Sequence, residues 1–299
     1  MKKISKGIIL AGGNGSRLYP LTLATSKQLF PLYNKPVLYY PLTTLMLAGV
    51  RDILIISTER DLPAIKNLLG TGEQFGIQCS YKAQTSPRGL PEAFILAEDF
   101  LQQQASFLIL GDNFFYGHQL SSLLEQSIAV TTGAHLFLHP VDNPSAYGIL
   151  ETDANGCIKG IIEKPATFVS NLAITGLYIF DEQASTFAKQ LQPSARGELE
   201  ITDLIKHYWK QDHLTYSMLG RGYVWYDVGT PQSLLQVGNY VEILETRQGL
   251  FVASPEEIAL RLGYITLDDL RKYIDKTPQC TYRHYLENLI HYAGHKNRI

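Results

Sequence analysis

Short apolar runs alternate with helical spacing over the first two-thirds of the chain, and that alternation predicts the architecture. Residues 6–10, 52–57, 78–82, 106–110 and 134–139 read as strands. Between them, residues 38–48, 61–69, 90–97 and 120–130 repeat apolar positions at helical intervals. Apolar strands separated by helices belong in a largely parallel sheet covered on both faces. The pattern then changes. Residues 149–163 hold two alternating runs on either side of Asp153-Ala-Asn-Gly156, which predicts a hairpin. Further strands are expected at 173–180 and 215–219, so this half of the sheet is mixed. The predicted fold class is α/β, a mixed and mostly parallel central sheet flanked by helices.

Beyond Thr230 the spacing becomes helical. Thr230-Pro-Gln-Ser233 supplies a capping Thr with Pro at the first helical position. Ser254-Pro-Glu-Glu257 repeats the signal with an acidic residue at the capping-box position, and Thr266-Leu-Asp-Asp269 offers a similar start. The chain therefore divides into an α/β core over residues 1–230 and a C-terminal helical appendage over 231–299, small for a second enzyme domain. There is no internal repeat and no hexapeptide ladder of the left-handed β-helix kind.

Composition narrows the function classes. The 299 residues are 45% hydrophobic and 18% charged, enough apolar material for one large core and too much for disorder. Basic and acidic residues number 26 and 28, so no basic face for nucleic acid or membrane is indicated. The basic N-terminal residues precede an apolar stretch too short for a signal peptide, and no run is long enough to span a bilayer. Cys79, Cys157 and Cys280 lie far apart, which argues against a disulfide framework or zinc site. A cytoplasmic protein is expected.

The chemistry begins at Gly7–Leu18, where an apolar strand feeds a glycine-rich turn that ends on a cation. Gly12, Gly13 and Gly15 allow close backbone approach, so N–H groups can face anionic oxygens. Arg17 and Lys27 can then cover the charge of a phosphate chain. The Walker pattern is excluded, since no Lys-Ser/Thr follows, and the dinucleotide fingerprint fails at Leu18. A tight strand-to-helix connection is the plain alternative.

Two aspartates could complete such a site. Asp112 lies just beyond an apolar strand, and Asp227 sits in an aromatic, strand-like run ending in Gly229. Together they could hold Mg²⁺, a hard cation that keeps waters and phosphate oxygens in its shell. Either could equally be a turn aspartate. Tyr147, Gly148, Glu163 and Lys164 form a third group, in which a carboxylate could accept sugar hydroxyls and a cation could meet a phosphate. A solvated ion pair is the alternative there. Residues 193–203 read as a loop entering a helix, with Arg196 able to reach a phosphate or simply be solvated. His135 and His139 could share a strand face, but neither has a partner spaced for a metal.

Taken in order, Gly-Gly-x-Gly-x-Arg-Leu18, Lys27-Gln28, Gln84–Gly89, Leu110–Asn113, Tyr147-Gly148, Glu163-Lys164-Pro165, Ala195–Asp203 and Trp225–Gly229 resemble the sugar-1-phosphate nucleotidylyltransferases. The resemblance runs over nearly the whole chain and is strongest to the short glucose-1-phosphate thymidylyltransferases. It implies a Rossmann-like fold that joins dTTP and glucose 1-phosphate to give dTDP-glucose and pyrophosphate, with Mg²⁺ as cofactor. By the same likeness, Leu10, Gly12, Gly13, Gly15, Arg17 and Lys27 hold the nucleotide, while Gln84 and Gly89 read the base. Asp112 and Asp227 are the implied metal ligands. Asn113, Tyr147, Gly148, Glu163, Lys164, Thr175 and Arg196 are the implied partners of the sugar phosphate. Arg17, Lys27, Asp112, Lys164 and Asp227 are the implied catalytic set.

Relatives of this type are homotetramers with a second nucleotide site at a subunit contact. Tyr116, Gly117, His118, Arg221 and Glu257 resemble its lining. Two stretches depart from the family pattern. Relatives more often have Pro-Ser-Pro-Asp-Gly-Leu after Gln84 and a Gln in place of Glu92, and Leu-Asp-Thr-Gly where this chain has Tyr226-Asp-Val-Gly229. These changes flank the implied ligands without replacing them. A uridylyltransferase, a thymidylyltransferase for another hexose phosphate, or a non-catalytic nucleotide-sugar sensor are the rival readings.

Overall fold

The computed structural model describes residues 3–293. Its strands are β1 (Lys6–Leu10), β2 (Pro31–Leu32), β3 (Lys35–Pro36), β4 (Asp52–Thr58), β5 (Gln78–Gln84), β6 (Ser106–Leu110) and β7 (Asn113–Gly117). They continue with β8 (Ala134–Pro140), β9 (Gly148–Thr152), β10 (Ile158–Glu163), β11 (Leu172–Phe180), β12 (Leu214–Met218) and β13 (Tyr223–Asp227). The helices of the α/β part are α1 (Tyr39–Leu47), α2 (Leu62–Leu69), α3 (Glu92–Leu96), α4 (Glu98–Leu101), α5 (Leu120–Val130), α6 (Ala184–Gln190) and α7 (Ile201–Trp209). The C-terminal ones are α8 (Pro231–Gln248), α9 (Pro255–Arg261), α10 (Leu267–Lys276) and α11 (Thr281–Ala293).

The main sheet runs β10-β9-β11-β6-β1-β4-β5, with β8 also paired to β11 and β12 to β8. Strands β6, β1, β4 and β5 are parallel, with Ile8 in register with both Leu54 and Leu108. β11 reverses direction against β6, and β9–β10 is the expected antiparallel hairpin. The predicted mixed, mostly parallel sheet is present.

Residues alternate across this sheet, as the strand period demands. Ile9, Ile53, Ile55, Phe107 and Ile109 pack with α1, α2 and α5 on one face. Ile8, Leu54, Ile56 and Leu108 pack with α3, α6 and α7 on the other. Ile265, Leu270 and Leu286 of the C-terminal helical region belong to the first of these clusters, so that region closes the main core behind α1. A third cluster of Leu18, Phe30, Tyr40, Phe114, Val228, Val237 and Val241 joins α8 to a ribbon formed by β7 and β13.

Two local differences from the sequence reading have physical causes. The helix expected over 90–97 is α3, which starts only after Pro91, because a residue preceding proline is driven out of helical space, and α4 follows beyond its expected end. β7 is an unpredicted strand whose partner β13 lies far along the chain, so no local period marks it. The caps behave as their sequences indicate. Thr230 and Thr266 form capping boxes with Ser233 and Asp269, and Ser254 accepts from the Glu257 backbone. Cys79, Cys157 and Cys280 are free. Among the described residues, no helix is long and apolar enough to cross a membrane.

Candidate active site

Parallel strands deliver their following loops to one edge of a sheet. Here β1, β5 and β6 end at Leu10, Gln84 and Leu110, and all three residues line one cleft of about 330 Å³. The loop after β1 must pass close to Gln84. A Cβ on Gly12 would collide with the Gln84 amide oxygen, and Gly13 takes a positive φ of 94°. The second is a conformation that favours glycine. Arg17 and Lys27 stand on single helical turns, Ser16–Leu18 and Lys27–Leu29, and both enter the cleft.

The β7–β13 ribbon brings the two aspartates together. Asn113 pairs opposite Asp227, and the Val228 N–H donates to the Asp112 carbonyl at 2.9 Å. Each carboxylate faces a cation from the N-terminal loops. Lys27 donates to Asp112, and Arg17 Nη2 lies 3.2 Å from Asp227 Oδ2. Burial tends to raise the Asp112 carboxyl, but Lys27 and the Asn113 amide outweigh it and hold the group below the usual range. Asp227 goes the other way. Burial and the negative charge of Asp112 raise it against the opposing pull of Arg17 and Lys27.

The opposite wall is charged. Glu163 ends β10, Lys164 follows with φ 44°, and Arg196 reaches in from the loop before α7. Arg196 Nη2 lies 2.6 Å from Glu200 and 3.3 Å from Glu163. Burial raises the Glu200 carboxyl, yet Arg196 and the Ser194 hydroxyl bring it below its ordinary range. An adjoining pocket shares Arg17 and Asp227 with the cleft and adds Tyr147 and Trp225, whose rings meet at 5.1 Å.

Of the residues singled out from the sequence, Leu10, Gly12, Gly13, Arg17, Lys27, Gln84, Gly89, Asp112, Glu163, Lys164, Arg196 and Asp227 line the cleft. Tyr147 lines its neighbour. Four residues have different surroundings. Gly15 shapes the turn as a left-handed residue, and Gly148 opens β9 beside Glu163. Asn113 is buried, accepting from the Gly176 N–H and the Trp225 indole while donating to Asp112, so it holds the ribbon rather than facing the cleft. Thr175 is fully buried, with its hydroxyl unpartnered.

Tyr116, Gly117 and His118 lie at the end of β7, and Arg221 shortly precedes its partner strand. Glu257 is instead buried among the C-terminal helices, accepting from Tyr285 and pairing with Arg261. Sequence reasoning did not select Glu92, Glu200 or Trp225 as site residues, although the last two stand inside quoted motifs. His135 is a core histidine held by Thr215 and Ser217. Among the described residues, no group of three or more His, Cys, Asp or Glu side chains is placed to hold a metal.

Comparison with known proteins identifies the family. The nucleotidyl transferase family model matches residues 6–243. A glucose-1-phosphate thymidylyltransferase of Xanthomonas campestris pv. campestris is 48% identical over 284 residues, covering 95% of this chain and 96% of its own. The enzyme of that name from Mycobacterium tuberculosis is 45% identical over 285 residues, covering 95% and 99%. Among solved structures, a Bacillus anthracis protein described as a glucose-1-phosphate thymidylyltransferase, in complex with sucrose, superposes with a TM-score of 0.73 at 37% identity. That match covers 79% of this chain and 94% of the other. A UDP-glucose pyrophosphorylase at 23% identity and TM-score 0.71 shares the fold.

Proposed function

This chain belongs to the nucleotidyl transferase family, among the glucose-1-phosphate thymidylyltransferases, and on that premise we propose that it joins dTTP to α-D-glucose 1-phosphate, releasing pyrophosphate. The observation that carries the reading is the meeting of Asp112, Asp227, Arg17 and Lys27 at one end of a cleft whose other wall is Glu163, Lys164 and Arg196.

The reaction requires a phosphate oxygen of the sugar phosphate to attack the α-phosphorus in line, as the bond to the β-phosphate breaks. A phosphate monoester is already an anionic nucleophile, so the chain need not supply a general base. Positioning and charge neutralisation remain. Gly12 and Gly13 bring backbone N–H groups to the triphosphate, while Arg17 and Lys27 leave their aspartate partners to cover it. Gln84 and Gly89 face the base, with Leu10 beside the nucleoside. Lys164 and Arg196 hold the sugar phosphate, and Glu163 accepts hydroxyls from the hexose beside Tyr147.

Enzymes of this family generally use a divalent metal. The donor set fits Mg²⁺. Two carboxylates lie close enough for the charge of Asp112 to raise Asp227, and a cation between them would relieve that repulsion. Bound by Asp112 and Asp227, Mg²⁺ would withdraw charge from the α-phosphate and the leaving pyrophosphate.

We extend the reading to a cytoplasmic homotetramer, for which the exposed apolar residues Tyr33, Leu235, Ile243 and Leu250 offer contact surface. Residues 1–230 then form the catalytic core, and 231–299 serve packing and subunit contacts, with a regulatory site at the ribbon end near Tyr116, Gly117, His118 and Arg221, from which the buried Glu257 is excluded. The product would feed dTDP-deoxysugar synthesis such as that of dTDP-L-rhamnose. The test is pyrophosphate release with dTTP, UTP, CTP and ATP against a panel of sugar phosphates, with Mg²⁺ and with EDTA. Mg²⁺-dependent turnover fastest with dTTP and glucose 1-phosphate is expected. Nucleotide binding without turnover would instead mark a sensor.

A further inference from the structure

The base side and the sugar-phosphate side of the cleft are joined by backbone. Gly89 and Leu199 form an isolated parallel bridge, and the Leu199 N–H donates to the Arg88 carbonyl at 2.7 Å. The approach is close enough to require glycine. Gly89 takes a φ of 104°, and a Cβ there would strike the Leu199 carbonyl. This bridge links the segment after β5, which ends on Gly89 and Leu90, to the segment before α7, which carries Arg196.

Both segments are otherwise thinly held. Residues 85–88 and 195–198 are exposed at every position. Segments with so few buried side chains open at low free-energy cost. The second is nevertheless tied to itself. The Ser194 N–H donates to the Glu198 carbonyl and the Gly197 N–H to the Ser194 carbonyl, each at 2.8 Å. The Ser194 hydroxyl and the Arg196 guanidinium both donate to Glu200, the buried N-cap of α7. Arg196 therefore travels with Leu199 as one unit, and the bridge fastens that unit to the base-side segment.

Joined segments are ordered together. A ligand that settles on one of them bears the entropic cost of fixing both, and the next ligand meets a surface already in place. We propose that the bridge between Gly89 and Leu199 couples the two substrate sites, so that a nucleoside seated at Gln84 and Gly89 raises the affinity for a sugar phosphate at Arg196. Leu199 is then a positioning residue, acting through its backbone. This rests on the proposed function, which gives the base to Gln84 and Gly89 and the phosphate to Arg196. Linkage makes the effect mutual, each ligand gaining from the other by one common factor.

The test is equilibrium dialysis of radiolabelled glucose 1-phosphate against the full chain, with and without saturating thymidine. Thymidine has no phosphate, so it makes no charge contact with the sugar phosphate, and no bond can form between them. Glucose 1-phosphate is expected to bind about fivefold tighter with thymidine present, and thymidine to gain by the same factor from glucose 1-phosphate. In Leu199→Pro, which lacks the bridging N–H, that ratio should fall to within about twofold of one. A merely structural role would weaken both ligands and leave the ratio as it was. That result overturns the proposal, as does a ratio of one in the unsubstituted chain. Failure of the unsubstituted chain to bind either ligand would strike the proposed function and the coupling with it, whereas binding without coupling strikes the bridge alone. Should Leu199→Pro not fold, Gly89→Ala opens the same bridge by collision, and its ratio, read with thymidine raised to saturation, is judged in the same way.

Discussion

Behind the glycine-rich loop, Ile8, Leu54 and Leu108 lie side by side in parallel register, each under 5% exposed. Behind Glu163 the strand is part of the β9–β10 hairpin at the edge of the sheet, half open to solvent, and Arg196 stands on a loop. The wall proposed to take the nucleotide thus presents backbone and glycine from a frame packed on both faces. The wall proposed to take the sugar phosphate presents long charged side chains that hold one another, Arg196 lying between Glu163 and Glu200. A backbone cradle suits a triphosphate, whose shape is constant. A net of ion pairs suits a ligand whose hydroxyls and phosphate must each find a partner, because its members can be redistributed on binding.

The comparison fails first if the two walls do not meet at one reaction centre. Asp112→Asn and Asp227→Asn are each expected to lower kcat roughly 10³-fold while shifting the melting midpoint by only a few degrees. Pyrophosphate release and thermal melts measure the two effects. A loss confined to Asp112 would place Asp227, and with it the ribbon, outside the chemistry.

Next in size is a test of the sheet behind the sugar wall. His135 is fully buried, and burial lowers its pKa from 6.5 to about 4, so the folded state favours the neutral ring. Its contribution is intact above pH 6.5 and declines as pH falls toward 4. Two and a half pKa units correspond to about 3 kcal/mol of stability lost over that window. Urea unfolding at stepped pH would record it, and His135→Gln should flatten the slope without altering the ratio of nucleotide rates.

A smaller effect separates the walls from each other. Arg196→Ala should raise KM for glucose 1-phosphate by about tenfold, the value of one charge-assisted hydrogen bond, and leave KM for dTTP within about twofold. Equal changes in both constants would merge the two walls into one. Smallest of all, Thr266→Ala removes the α10 cap from the helical region behind α1 and should cost about 1 kcal/mol of stability with no change in either KM.

The sequence made the frame behind the glycine-rich loop legible almost to the residue. Strands 6–10 and 106–110 and helix 120–130 have the bounds that their periodicity assigns, because buried parallel strands carry their signal locally. The glycine-rich loop and its two cations were readable for the same reason. The ribbon was only half readable. Residues 222–229 look like a strand, but β7 has no meaning without that distant partner. Asn113 adjoins Asp112 in sequence, yet its side chain is spent on Gly176 and Trp225. Glu200 matters through the side chain it holds, and a contact of that kind leaves no spacing to detect.

One consequence of the β7–β13 pairing concerns what the molecule tolerates. Side chains swap faces at every step along a strand, so a single inserted residue within either arm would swing Asp227 out of alignment with Asp112. Lengthening a surface loop elsewhere in the long stretch joining the arms costs little, because loop closure grows slowly with length. For anyone re-engineering this chain, domain grafts or tags belong in those connecting loops, while the five rungs of the ladder admit substitution only in place.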